Sequence, residues 1–329
     1  MKILVTGGLG FIGSNFIINY LNEFPEHTII NLDNENHGAN HQNLISIQKK
    51  NNYEFVKGDI TNHKLMKNLI SISDAIVNFA AESHVDRSIS DATPFINSNI
   101  LGVFTILEIL KKEKEKRLVQ ISTDEVFGSL KKNSANENFK LNPSSPYSSS
   151  KASAELLVNS YFVTYEIDTV ITRCTNNYGP RQFPEKLIPK TILLAMQKQK
   201  IPIYGNGKNI RDWIHVDDHC NAVKEVLHKG KSGESYNISA QNELDNIQIV
   251  TNILEKMGLN DDYLEFVEDR PGHDFRYSLD SSKIRNELKW KEETSFEDGI
   301  EKTIDWYVKN QEWCNGINKE ILKKAKWNN

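Results

Sequence analysis

The chain opens with a short apolar run, Lys2 to Thr6, that breaks into Gly7-Gly8-Leu9-Gly10-Phe11-Ile12-Gly13. Apolar residues then recur with a helical period at Phe11, Ile12, Phe16, Ile17 and Leu21. A strand, a glycine turn and a helix in immediate succession constrain the fold more than any other stretch. Glycines let the backbone turn tightly and approach a ligand, and a helix N-terminus offers unpaired N–H groups and positive dipole. The spacing is GxxGxxG, not GxGxxG, and a glycine turn alone needs no ligand. The next strand, Thr28 to Leu32, however, ends at Asp33, about 20 residues beyond Gly13, where an acid binds the ribose hydroxyls of a dinucleotide. That acid repels a 2′-phosphate, which favours NAD over NADP.

Strands and helices alternate from there. Tyr53–Lys57, Ala75–Phe79, Leu118–Ile121 and Thr169–Arg173 read as strands, with helices over His63–Ile70, Thr93–Lys112 and Ser145–Tyr165. Uninterrupted apolar strands between amphipathic helices belong to a parallel sheet covered on both faces. The expected fold is therefore α/β: a doubly wound, mostly parallel Rossmann sheet, with a smaller C-terminal α/β substrate-binding domain. Residues 1–176, with roughly 212–240, are assigned to dinucleotide binding, and 177–211 with 241–329 to the second domain. Beyond the sheet lie a strand at Leu264–Val267 and helices at Ser281–Leu288 and Phe296–Lys309. Asp59, after the third strand, either caps the following helix or faces the adenine.

Composition narrows the function. With 38% hydrophobic and 26% charged residues, the 329-residue chain is ordinary for a globular protein. A net charge of −4 argues against a general nucleic-acid binder. Cys174, Cys220 and Cys314 form no CxxC pair and have no histidine spacing suited to zinc, so no metal is expected and free thiols fit a reducing compartment. The N-terminal apolar run is too short for a signal peptide, and no later run is read as long enough to span a bilayer. The expected location is the cytoplasm.

Two stretches carry chemistry. Ser122-Thr123-Asp124-Glu125 follows a buried strand. In open α/β sheets ligands bind beyond the carboxyl ends of the strands. Two adjacent acids there can divide proton work if their surroundings separate their pKa values; otherwise they are a turn. Tyr147 and Lys151 lie four residues apart on one helix face. A phenol is a poor base at neutral pH unless a nearby ammonium lowers its pKa, and a base is what oxidation of an alcohol by hydride transfer needs. Arg211 and Arg270 are candidates to clamp a diphosphate, and Ser129–Ser145 is a polar loop without periodicity.

The residues together resemble the extended short-chain dehydrogenase/reductase family, and within it the nucleotide-sugar 4,6-dehydratases of the dTDP-glucose type. The resemblance rests on TGGLGFIG (Thr6–Gly13), AAESHVDRS (Ala80–Ser88), STDEVFG (Ser122–Gly128), YSSSK (Tyr147–Lys151), TRCTNNYGP (Thr172–Pro180), FPEKLIP (Phe183–Pro189), RDWIHVDD (Arg211–Asp218), SYNI (Ser235–Ile238) and DRPGHD (Asp269–Asp274). It implies NAD contacts from Gly7, Gly10, Phe11, Ile12, Gly13, Asp33, Asp59, Ile60, Ala80, Ala81, Ser98, Tyr147, Lys151 and Asn177. It implies a nucleotide-sugar site from Ser83, His84, Thr123, Asn176, Lys186, Leu187, Pro202, Tyr204, Arg211, Asn246, Arg270 and His273. Thr123, Asp124, Glu125, Tyr147 and Lys151 would be catalytic, and a homodimer would form through a four-helix interface. The implied reaction turns dTDP-glucose into its 4-keto-6-deoxy product plus water. A UDP-glucose substrate, a 4-epimerase and a non-catalytic NAD-binding sensor stay open, although epimerases carry a small residue where Glu125 stands. One departure is clear: such dehydratases often read Asp-Lys-Leu-Thr-Tyr after the second strand, whereas this chain reads Asp33-Asn34-Glu35-Asn36-His37.

Overall fold

A computed structural model describes residues 1–269, 272–317 and 322. Seven strands form one sheet: β1 (Lys2–Thr6), β2 (Thr28–Asp33), β3 (Tyr53–Lys57), β4 (Ala75–Asn78), β5 (Arg117–Thr123), β6 (Thr169–Cys174) and β10 (Ser235–Ile238). They lie in the order β3-β2-β1-β4-β5-β6-β10, every pair parallel. The chain reverses its direction of travel between β1 and β4, and the mouth of an open sheet at such a point is where ligands bind.

Alternate side chains leave opposite faces of each strand. Ile3, Val5, Val77 and Val119 pack on one face against the Phe11–Glu23 and Val216–Lys229 helices. Leu4, Ile76 and Leu118 pack on the other against His63–Ser71, Val103–Leu110 and Pro146–Tyr165. Both faces are thus covered, as the uninterrupted apolar strands required.

The sheet also carries a chain of buried polar side chains near its binding end. Thr6 Oγ1 donates to Asn78 Oδ1 at 2.5 Å, Asn78 Nδ2 to Gln120 Oε1 at 2.8 Å, and Gln120 Nε2 to the Ile121 carbonyl at 3.0 Å. All three side chains are at most 1% exposed. Such a chain satisfies its members only when β1, β4 and β5 hold one register, so a slip by one residue would strand polar groups in the core.

Smaller sheets follow. β7 (Asn176–Tyr178) and β11 (Glu243–Asp245) flank β9 (Ile210–His215), parallel and antiparallel respectively, while β8 (Ile201–Tyr204) pairs in parallel with β12 (Leu264–Val267). Their core, built on Tyr178, Ile188, Trp213, Ile253, Ile300 and Tyr307, is distinct from those of the large sheet.

Three expectations need correction. The helix after β3 is capped by Asn62, whose side chain accepts from Leu65 N, and not by Asp59. The helix expected over Thr93–Lys112 ends at Leu110 and contains a π-helical section, Ile96–Gly102. The widened turn lets Asn99 hold the chain after β4, since its amide donates to Glu82 O and accepts from Glu82 N. Finally, Thr93–Leu110, with a mean hydropathy of 1.4 over 18 residues, is long and apolar enough by length and composition to cross a membrane. Val103, Ile106, Leu107 and Leu110 are buried against the sheet, so one face is that of a core helix, while Ile96, Leu101 and Phe104 are exposed on the other.

The Pro146–Tyr165 helix is fixed at both ends of its functional segment. Ser145 and Ser148 form a reciprocal capping box, and Pro146 occupies the first turn. Two turns on, Glu155 accepts from Arg173 Nη2 of β6 at 2.8 Å, with both side chains almost fully buried. Arg173 also donates to Glu137 O and lies 5.0 Å from the Phe127 ring centroid. Removing one member of a buried pair leaves an uncompensated charge. Arg173→Met is therefore expected to lower the unfolding free energy by about 3–5 kcal/mol, read by urea denaturation; a loss below about 1 kcal/mol would show a solvent-screened pair.

Candidate active site

The strand ends of the large sheet open into a cavity of about 310 Å³, within the range of small-molecule sites. Its floor is the glycine turn. Gly7 has φ +72°, and a Cβ there would lie 2.6 Å from Ala80 N, so both the left-handed backbone and the close approach demand glycine. A Cβ on Gly13 would meet Gly7 O at 2.5 Å. The Phe11–Glu23 helix begins at Gly10 with no capping side chain and no acid in its first turn. Its first N–H groups face the cavity without an internal competitor, a cradle suited to a pyrophosphate.

At one end of the cradle sits Asp33, whose carboxylate accepts from Leu9 N at 3.0 Å and Glu35 N at 2.9 Å. Burial raises its pKa, and these two bonds work against that rise. Ile60, Ala80, Ala81, Ser98 and Asn177 complete the lining expected for a dinucleotide. Asp59 stands behind it, held by Thr61 N at 2.8 Å and by Asn34 Nδ2 at 2.8 Å. Asn34, at the position where related sequences often have lysine, itself lines the cavity.

The other end gathers the proton-handling groups. β5 runs to Thr123, which caps a single 3₁₀ turn, Asp124–Phe127. The turn drives Asp124 inward, to 4% exposure, and leaves Glu125 at the cavity wall. Thr123 Oγ1 donates to Asp124 Oδ1 at 3.1 Å and accepts from Glu125 N at 3.3 Å. Asp124 Oδ2 is buried without a hydrogen-bond partner among the described residues. Burial, then the adjacent Glu125 carboxylate, push the Asp124 carboxyl up to about 8. It is a carboxylic acid at neutral pH, and Oδ2 is its free hydroxyl position.

Tyr147 enters from the Pro146–Tyr165 helix, edge-on to Phe95 and buried. The expectation that the phenol's pKa is lowered is reversed. Burial and then Glu125 hold the phenol well above its ordinary value, while Thr123, in hydrogen-bonding reach, pulls the other way. Lys151 instead donates to the Ile121 carbonyl at 2.6 Å, and burial brings its ammonium down to about 8. Cys174, opposite Thr123 in the β5–β6 register, is pushed up by burial to about 12 and stays a thiol.

Ser83, His84, Thr123, Asn176 and Lys186 of the expected sugar-nucleotide set line the same cavity. Among the described residues, Leu187, Pro202, Tyr204, Arg211, Asn246 and His273 stand outside its lining, and Arg270 lies outside the described residues. Arg211 is turned inward: its guanidinium donates to the carbonyls of Ile210, Asp274 and Phe275 at 2.7–3.1 Å and lies 4.3 Å from the Tyr277 ring centroid. Sequence reasoning missed Tyr277, a buried phenol raised by burial and then by Glu125, which donates to Asp274. It also missed the contact of His37 with Glu185, 2.8 Å apart across the cavity mouth. Burial raises Glu185, but the His37 hydrogen bond, Lys186 and His84 outweigh it and hold the carboxylate at about 2. Histidine in place of tyrosine at position 37 was the available signal; its partner lies 148 residues on.

Comparison with known proteins agrees with this geometry. A family model described as GDP-mannose 4,6 dehydratase matches residues 4–303. The low-salt glycan biosynthesis protein Agl12 of Haloferax volcanii is 46% identical over 312 residues, covering 95% of this chain and 100% of that protein. A dTDP-glucose 4,6-dehydratase from Bacillus anthracis, solved in complex with NAD, superposes with a TM-score of 0.90 at 47% identity, covering 95% and 98% of the two chains. DesIV, the dTDP-glucose 4,6-dehydratase of Streptomyces venezuelae, solved with NAD bound, gives a TM-score of 0.93 at 42% identity over the same shares.

The charge state of Asp124 is directly measurable. With ¹³C-labelled aspartate, one carboxyl resonance is expected to titrate near pH 8, protonated below and ionised above, and to vanish in Asp124→Asn. A native spectrum in which every aspartate titrates near 4 would refute the assignment.

Proposed function

The chain belongs to the NAD-dependent nucleotide-sugar 4,6-dehydratases of the extended short-chain dehydrogenase/reductase family, and we propose that its substrate is dTDP-glucose. The product would be dTDP-4-keto-6-deoxyglucose plus water. The observation that carries this reading is the free carboxylic oxygen of Asp124 beside Glu125, within one short turn of Thr123 and next to Tyr147. Oxidation of an alcohol needs one base; eliminating water also needs a base at C5 and an acid at the C6 oxygen. Relatives named dTDP-glucose 4,6-dehydratase at 42–47% identity favour the thymidine nucleotide.

The cofactor is NAD, as bound in the two solved relatives. The uncapped helix start, Gly7, Gly10 and Gly13 would hold its diphosphate, and Asp33 the ribose hydroxyls. When bound, it supplies hydride acceptance at C4 and hydride return at C6. Tyr147 takes the C4 hydroxyl proton. Its phenol is held up by burial and by Glu125, so a phenolate requires added positive charge, and Lys151 contributes from its place on the Ile121 carbonyl. Glu125 removes the proton from C5, made acidic by the new ketone, and C5 is reprotonated when hydride returns to C6. Asp124 gives its proton to the departing C6 hydroxyl through Oδ2, and Thr123 steadies the C4 oxygen.

The remaining assignments fit the same reading. Ser83, His84, Asn176 and Lys186 would meet the nucleotide sugar inside the cavity. Leu187, Pro202, Tyr204, Arg211, Asn246, Arg270 and His273 would serve its nucleotide end. Residues 1–176 with about 212–240 would bind the dinucleotide, and 177–211 with 241–329 the sugar nucleotide; the place of β10 in the large sheet supports that interleaving. Exposed Ile96, Leu101 and Phe104 on one helix, and Leu156 and Val163 on the next, support a homodimer through four helices.

Incubation with dTDP-glucose is expected to yield a 4-keto sugar, seen by its alkali-induced absorbance, at a higher kcat/KM than with UDP-glucose. Formation of dTDP-galactose without a keto product would replace the reading by a 4-epimerase. Glu125→Gln is expected to form NADH but slow water loss by about 10²–10⁴-fold; wild-type water loss would remove Glu125 from the mechanism. Because Asp124 must hold its proton, water loss in the wild type is expected to fall as pH rises through about 8.

A further inference from the structure

The Val216–Lys229 helix packs along the Phe11–Glu23 helix, and its first turns reach beneath the cavity. Cys220 Sγ lies 3.7 Å from the Ile12 carbonyl, in the first turn of the helix that begins at the glycine cradle. Beside it His219 is fully buried, and its Nδ1 lies 2.8 Å from Asn177 Oδ1. Asn177 lines the cavity together with Cys174, Thr175 and Asn176. This wall continues from β6, where Cys174 stands opposite Thr123. The Asn177 carbonyl in turn accepts from Gln182 Nε2 at 2.8 Å, and Gln182 also lines the cavity.

The place of the imidazole proton follows from Asn177's other contact. Asn177 Nδ2 donates to the Thr175 carbonyl at 3.0 Å. A carbonyl can only accept, so the amide turns its nitrogen to Thr175 and its oxygen to His219. That oxygen can also only accept, so Nδ1 of His219 carries the proton. Nε2 is left with a bare lone pair, buried and without a partner among the described residues. Burial pulls the imidazole down to about 3, so the ring is neutral at working pH. An aliphatic side chain would fill this space without burying an idle nitrogen. What it could not supply is the N–H.

We propose that His219 is a positioning residue for the cofactor: its Nδ1–H fixes the Asn177 carboxamide, and with it the Cys174–Asn177 wall of the cavity beside Thr123. The inference rests on the reading of this cavity as an NAD site. It assigns the histidine no contact with substrate and no proton to move. A neutral donor on a rigid ring suits that task. A lysine would bring a charge into the core, and a serine hydroxyl is free to rotate away.

The test compares two side chains of similar length at position 219, only one of which can donate. His219→Met leaves Asn177 Oδ1 unpaired and is expected to weaken NADH binding to the full chain about tenfold, as loss of one buried hydrogen bond implies. His219→Gln can still donate and is expected to bind within about threefold of wild type. With cofactor saturating, kcat is expected to recover in His219→Met more fully than the affinity does. NADH fluorescence titration and steady-state rates read both, and thermal melting reports stability alongside. Equal NADH affinity in wild type and His219→Met, or His219→Gln as weak as His219→Met, would overturn the proposal. ¹⁵N-histidine spectra of the wild type need no variant to fold: a proton on Nδ1 is expected, and one on Nε2 overturns the assignment. Absence of NADH binding by the wild type would bring down the reading of the cavity as well, whereas binding that is indifferent to position 219 strikes His219 alone.

Discussion

The constraint on which the site depends is the buried hydrogen-bond chain Thr6–Asn78–Gln120–Ile121 across β1, β4 and β5. Apolar packing alone tolerates repacking, because any hydrophobic group of similar size keeps most of the burial energy. A buried polar chain does not, since each member left unpaired costs about 1–3 kcal/mol. Three strands are thereby held in one register at the end where their loops open. The chain ends on the Ile121 carbonyl, which also receives the Lys151 ammonium. One oxygen therefore joins the register of the sheet to the helix that carries Tyr147, and the Arg173–Glu155 pair ties that helix to β6. Positions across the cavity follow from buried polar geometry more than from the loops themselves.

Desolvation then separates groups that the sequence sets side by side. Asp124 and Glu125 are consecutive acids that both line the cavity, yet a single 3₁₀ turn buries Asp124 and leaves Glu125 half-buried. Burial favours the neutral form of a carboxyl, and a neighbouring carboxylate adds to that preference. The same two effects act on Tyr147 with a less convenient result, since they oppose the phenolate that a base must become. A site that holds a carboxyl neutral is therefore also one that makes a tyrosine base expensive. On the proposed mechanism, positive charge from Lys151 and from a bound cofactor would ease the conflict.

How much of this is legible in the sequence varies with range. The glycine turn, Asp33 and the first six strands of the large sheet are local patterns, and all appear within a residue or two of their expected places, whereas β10 is not among the expected strands. The Tyr147–Lys151 spacing is likewise local, but the direction of the phenol's shift follows from burial and Glu125, and the lysine nitrogen donates to a carbonyl 30 residues upstream. Asp59 sits as well for a cap as Asn62 does by type; only the backbone path chooses between them. The register chain was not legible because Thr6, Asn78 and Gln120 are single polar residues within three apolar runs, with nothing in their spacing to link them. His37 with Glu185, His219 with Asn177 and Arg211 with the 274–275 carbonyls pair residues 42 to 148 positions apart. Nothing in a single sequence records such pairings.

Two of the buried polar atoms around this site that lack a partner among the described residues have opposite meanings, and their chemistry tells them apart. His219 Nε2 is an acceptor whose ring is committed through its other nitrogen, so its lone pair is a by-product of supplying one N–H. Asp124 Oδ2 belongs to a group whose other oxygen already accepts from Thr123, and which burial keeps protonated. Its unpaired atom would be a donor, and a donor without an acceptor is the costlier of the two to leave inside a protein. The Thr123 hydroxyl lies against Oδ1, not Oδ2. On the proposed mechanism, the acceptor for Asp124 would be the substrate hydroxyl that leaves as water.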